Sequence, residues 1–265
     1  MNISKIYIWF TLAIAVLVLL ASGMGLLLKS IHARETMSWT IQTYGQDIAN
    51  LVSAATLFIT VFFVPKGSVK AFLVWIGVLL TLLYAYVIYA FALHFNSLFL
   101  VYVAIVGLSF YALIGSMIGL HMSSLQPHIV GNSKARPVSI FLLVLAFLFY
   151  LLWLSQDIPA LLTGKIPSTV TENGLLTDPV HVLDLGLLLP AMIITSISLW
   201  RGKLLGFLFA VPLLVFSVLT GMGILATFLI MSSQGMPASL GVELFFAVII
   251  VVSLVLSVLY LREVK

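Results

Sequence analysis

The 265 residues are 63% hydrophobic and 8% charged, against roughly 25% charged residues in a soluble domain. No soluble core of this length hides so much apolar surface, so most side chains must meet lipid or other helices. The net charge of +4 is spread between apolar runs, which excludes a nucleic-acid surface, and the absence of cysteine excludes disulfides, thiolate metal sites and quinone-linked disulfide chemistry.

Apolar length predicts eight transmembrane helices, near 6–28, 47–64, 71–94, 98–120, 138–155, 179–200, 204–231 and 240–261. The expected fold class is an all-α, polytopic integral membrane helix bundle, with 1–265 as a single membrane domain. The first run is longer than a signal-peptide core of ~7–15 residues and reads as a retained span. The fifth span is predicted to be the shortest and the seventh the longest. These runs are apolar on every side, whereas a barrel needs alternating polarity.

An even number of spans puts both termini on one side. Lys5, Lys66, Lys70, Lys134, Arg136, Arg201, Lys203, Arg262 and Lys265 share that side, and only Lys29, Arg34 and Lys165 lie opposite. The positive-inside rule then predicts cytoplasmic termini in a cell (inner or plasma) membrane. Acidic residues run the other way: Glu35, Asp47, Asp157, Glu172, Asp178, Asp184 and Glu243 are predicted outside and only Glu263 inside.

Loop lengths follow a pattern. A long outer loop, a short basic inner link and a short outer link occur at 29–46, 65–70 and 95–97, and again after spans five, six and seven. This spacing suggests two four-helix halves, 1–120 and 138–265, joined by the polar inner loop 121–137. The outer loops 29–46 and 156–178 carry Trp39, Tyr44, Ile158 and Leu161, and are expected to lie at the interface and roof the outer mouths of spans two and six. Pro159, Gly164, Pro167 and Gly174 argue against a long helix in the second of these loops.

Candidate functional residues follow the chain. Asp47 is expected in the first turn of span two, where a carboxylate complements the helix dipole, with Asn50 one turn deeper on the same face. Tyr86 and Tyr89 share a face near the outer end of span three. Asp178 is a good N-cap and Pro179 suits the first helical position, so span six should start there. His181 and Asp184 then share a face, and Asp184 lies five residues in, too deep to face lipid cheaply. Glu243 sits on span eight after Pro237. Pro190 and Pro212 should kink spans six and seven, and Gly221 and Gly223 offer span seven a small face for close packing.

The runs Tyr44-Gly45-Gln46-Asp47, Tyr84 to Phe91 with Phe95 to Tyr102, and Asp178-Pro179-Val180-His181-Val182-Leu183-Asp184-Leu185 resemble a group of uncharacterised prokaryotic multi-pass membrane proteins. That resemblance implies no activity. The four-helix halves resemble DoxX-like bundles in topology alone. The cysteine pairs of vitamin K epoxide reductase and DsbB bundles are absent, and a single membrane-embedded histidine argues against ceramidase-type hydrolases.

These residues predict an outward-facing polar pocket that binds or moves a small solute or ion. Asp47, His181 and Asp184 would form its centre, with Asn50, Glu243 and Tyr86 nearby. The same three central residues are the candidate metal ligands, although the spacing names no metal or cofactor. Two alternatives stand beside it: an enzyme at the outer leaflet with His181 as base oriented by Asp184, and a non-catalytic scaffold in which these groups only fix helix ends.

Overall fold

A computed structural model describes residues 4–119 and 131–264. The elements are α1 (Lys5–Leu27), α2 (Met37–Phe63), α3 (Val69–Ala92), α4 (Phe99–Ile118), α5 (Ala135–Thr163), the short α6 (Ser168–Glu172), α7 (Pro179–Trp200), α8 (Leu204–Ser233) and α9 (Leu240–Glu263). All but α6 are long and apolar enough to cross a membrane, and no strand occurs among the described residues. The chain is therefore an all-α polytopic membrane bundle. Helices satisfy every internal backbone group within their own segment, which lipid demands. His121, His128 and most of the predicted inner loop 121–137 lie outside the described residues.

Two helix boundaries differ from the hydropathy reading, and both differences bear on function. Helix α2 starts ten residues before the predicted 47, where Thr36 Oγ1 accepts the Trp39 amide at 3.2 Å. Its first turns carry Ser38, Gln42 and Gln46, which lower the apolar average but face protein rather than lipid. Asp47 is thus not a first-turn carboxylate at a helix mouth. It lies roughly 15 Å along the helix at ~1.5 Å per residue. Helix α5 runs 29 residues, and the shortest spanning helix is α4 with 20. Asp157 and Pro159, which read as stop signals, are inside α5 because Asp157 has a partner on α7. The helix stops at Gly164, whose φ of +66° is left-handed, and Lys165 N–H reaches back to the Ala160 carbonyl at 3.0 Å. Helix α8, with 30 residues, is the longest, as predicted.

Helices α1 to α4 pack each on the next, and α1 closes back on α4. Helices α5, α7, α8 and α9 follow the same order, but α5 meets α9 only sparsely. Helix α8 also lies against α2 and α3 and joins the two groups. The centre of the first group is filled by Trp75, Tyr86, Tyr102, Phe72 and Leu79, all essentially buried. Between the second group and the facing sides of α2 and α3 lies a void.

The links at the end opposite the termini, here the distal end, are knitted together. Asn173 Oδ1 accepts from Ser38 Oγ at 2.8 Å and Gln42 Nε2 at 2.9 Å, which fastens the α5–α7 link over the start of α2. Glu35 Oε1 accepts the His94 amide at 2.8 Å, which ties the α1–α2 link to the α3–α4 turn.

The α2–α8 contact is backbone against backbone. A Cβ at Gly45 would overlap Thr227 Oγ1 and stand 2.5 Å from the Gly223 carbonyl oxygen. Gly223 in turn meets Ala49 and Gln46 closely, the small-residue packing by which membrane helices approach. Gly45→Val should therefore lower stability by about 1–3 kcal/mol or more through overpacking. Gly107→Ala, within α4 and with nothing within 4 Å, should leave the melting temperature in detergent unchanged or slightly raised.

Candidate functional site

The site starts with a helix that the sequence forces out of regular geometry. Asp178 Oδ1 caps α7 by accepting the Val180 and His181 amides at 3.0 and 3.3 Å, and Pro179 follows as the first helical residue. Pro190 has no N–H to give the Gly186 carbonyl, and its ring crowds that turn. The chain answers with a π turn over Asp184–Leu188, closed by the Leu189 amide on the Asp184 carbonyl. Such a bulge adds one residue and is common at functional sites. The Leu185 carbonyl inside it receives the Tyr150 hydroxyl at 3.3 Å.

Asp184 opens the π turn and is buried. Its Oδ1 accepts the Tyr84 hydroxyl from α3 at 2.8 Å, and its Oδ2 accepts Trp153 Nε1 from α5 at 2.8 Å. One carboxylate therefore joins three helices. His181, one turn nearer the distal end, pairs through Nδ1 with Asp157 Oδ1 at 2.9 Å. Its Nε2 is 3.7 Å from Asp178 Oδ2. The imidazole also lies against the Trp153 indole, with ring centroids 4.4 Å apart. The partner of His181 is thus Asp157 rather than Asp184.

These groups line one wall of a cavity of about 670 Å³ between α2, α3, α5, α7, α8 and α9. Its distal part is bordered by Ser38, Gln42, Thr169 and Asn173. Its deeper part is bordered by Phe149, Met192, Phe216, Ile224, Phe246 and Ile249. Its ionisable lining groups are Asp178, His181, Asp184 and the phenols of Tyr84 and Tyr89.

Asp47, Asn50 and Tyr86 form a separate buried centre between α1, α2 and α3, and none of them lines the cavity. Tyr89 donates to Asp47 Oδ1 at 3.1 Å and to the Thr43 carbonyl at 3.0 Å. His32, from the α1–α2 link, places Nε2 3.8 Å from Asp47 Oδ2. Asn50 Oδ1 accepts Gln46 Nε2 at 2.9 Å, and the Tyr86 hydroxyl lies 3.2 Å from Ser22 Oγ. Tyr89 is the wall between the two centres, since its ring also borders the cavity. Glu243 sits in the first turn of α9, half-buried, outside the cavity lining.

The structure thus brings His181 and Asp184 to one cavity and sets Asp47, Asn50 and Tyr86 behind it. Among the described residues no group of three or more His, Asp and Glu is arranged to hold a metal ion. Tyr84, Trp153, Asp157 and His32 complete the two centres and were not singled out from the sequence. A signal for two of them was present. Trp153 and Asp157 are four apart on α5, and Asp184 and His181 are three apart on the antiparallel α7, so deep meets deep and shallow meets shallow.

Comparison of the chain with family models, with curated proteins and with solved structures returned no match.

Removing either donor leaves an oxygen of the buried Asp184 without its protein partner, which costs about 1–3 kcal/mol. Tyr84→Phe and Trp153→Phe should each lower the melting temperature. In a double-mutant cycle the two losses should not add, because both act through one carboxylate.

Proposed function

We propose that this integral membrane protein binds a small solute in the cavity beside Asp184 and passes it across, or receives it from, the extracytoplasmic side of a cell membrane. The observation that carries this reading is a roomy void, inside the bundle, walled by buried ionisable groups. Ionisable side chains at membrane depth are costly and usually mark a pathway or binding site. A void of about 670 Å³ falls within the usual ~300–1,000 Å³ of ligand pockets. Nine Lys and Arg on the termini side against three on the distal side support a cytoplasmic position for both termini. The distal end, where the carboxylates cluster, is then extracytoplasmic.

Two helices with an internal proline border the void. Helix α7 carries the π turn, and α8 carries Pro212 within its run. Both provide places where a helix bends at modest cost, which a protein that opens and closes around a solute needs.

The enzyme reading has one observation in its favour, the His181–Asp157 pair at 2.9 Å. That pair resembles a base held by a carboxylate. However, His181 Nε2, the nitrogen a reactant would need, makes no hydrogen bond to a nucleophilic hydroxyl among the described residues, and Asp178 Oδ2 is 3.7 Å away. The solute reading needs no nucleophile and is preferred.

A thermal-shift screen of small organic solutes and ions in detergent tests the proposal. A ligand bound only by the folded protein at ~100 times its dissociation constant stabilises it by about 2.7 kcal/mol. At least one solute should raise the melting temperature of the native chain and fail to do so in Ile224→Trp, which fills the void. If every solute shifts both proteins equally, the cavity does not bind solute.

A further inference from the structure

The charged groups on the cavity wall are of one kind. Asp178, Asp184 and, behind His181, Asp157 stand against a single imidazole. With the carboxylates ionised the wall stays negative even when His181 carries a proton. Neither lysine nor arginine lines the cavity among the described residues. An anion entering here would meet an excess of carboxylates and no lysine or arginine, a cost that disfavours it.

The rest of the wall is mainly apolar and rich in aromatic rings, with polar side chains such as Ser38, Gln42 and Asn173 in its distal part. Phe149, Phe216, Phe228 and Phe246 border it, as do Tyr84 and Trp153. Such faces attract a positive charge through the ring quadrupole while accepting an apolar body. A bare inorganic cation is poorly served, because it needs a shell of six or so oxygen ligands, and among the described residues no group of three or more His, Asp and Glu is arranged to hold a metal ion. Each Asp184 oxygen accepts a single hydrogen bond, so both keep acceptor capacity for a ligand.

We infer that the solute is a lipophilic cation: an apolar, mainly aromatic or alicyclic body bearing an ammonium or similar positive charge, which pairs with the Asp178–Asp184 wall. This deepens the proposed function and rests on the solute reading of the cavity.

Three probes of similar bulk and different charge test it on the full chain in detergent: radiolabelled tetraphenylphosphonium, tetraphenylborate and triphenylphosphine oxide. Tetraphenylphosphonium should bind saturably, and Ile224→Trp should abolish that binding. Asp184→Asn should weaken it by about tenfold or more, a loss of ~1.4 kcal/mol per factor of ten. Asp178→Asn keeps a good helix cap while removing one charge, so it should weaken binding in a protein of native stability. It serves as the charge test if Asp184→Asn fails to fold. If the neutral or the anionic probe binds as tightly as the cation, and Ile224→Trp abolishes that binding, the cavity binds solutes but the cation class is wrong. If no probe shows binding that depends on Ile224, the solute reading falls with it.

Discussion

A carboxyl group inside a helix bundle must find donors from other helices, because its own helix has none to spare and lipid offers none. Asp184 meets that constraint with Tyr84 on α3 and Trp153 on α5, one donor to each oxygen. Removing a single partner from a buried charge is strongly unfavourable. The position of α7 against α3 and α5 is therefore set by a polar contact, in an interior where apolar packing discriminates weakly between lipid and protein. The π turn is part of the same device. It absorbs the missing Pro190 amide and opens on Asp184 itself.

The two polar centres then divide the labour. Around Asp47, the rings of Tyr86, Tyr89 and Tyr102 pack edge-to-face or tilted at centroid distances of 5.4 to 5.9 Å. That centre fixes α1, α2 and α3 to one another. Around Asp184, the same density of polar groups borders open space. The difference arises from how the helices close: α1 returns to α4, whereas α5 and α9 barely touch. Tyr89 belongs to both centres, with its hydroxyl on Asp47 and its ring on the cavity.

Much of the fold was legible because membrane spans advertise themselves by length and apolarity. Eight spans and most of their boundaries follow from that alone. The failures have a common cause. Hydropathy averages treat a polar residue as a stop, yet Ser38, Gln42 and Gln46 on α2 and Asp157 on α5 are polar because they face other protein groups. Misplacing the start of α2 also misplaced Asp47, which then looked like a neighbour of Asp184. His181 and Asp184 were legible as buried ionisable residues three apart. Their partners were not, because Tyr84, Trp153 and Asp157 lie on helices remote in sequence, and nothing local distinguishes a donor phenol from one in an aromatic belt. The antiparallel match of Trp153 and Asp157 with Asp184 and His181 becomes readable only once α5 and α7 are known to be neighbours.

The account depends on a void that water reaches from the distal side. The chain has no cysteine, so single cysteines can report on it directly. Cysteines placed at Gln42, Met192 and Ile249, which border the cavity, and at Leu187, which is exposed on the bundle surface, would be tested with a membrane-impermeant thiol reagent added to intact cells. The account predicts labelling at the first three from outside and protection at Leu187 in the lipid-facing wall of α7. Unlabelled cavity positions, or labelling only when the reagent reaches the cytoplasmic side, would contradict it.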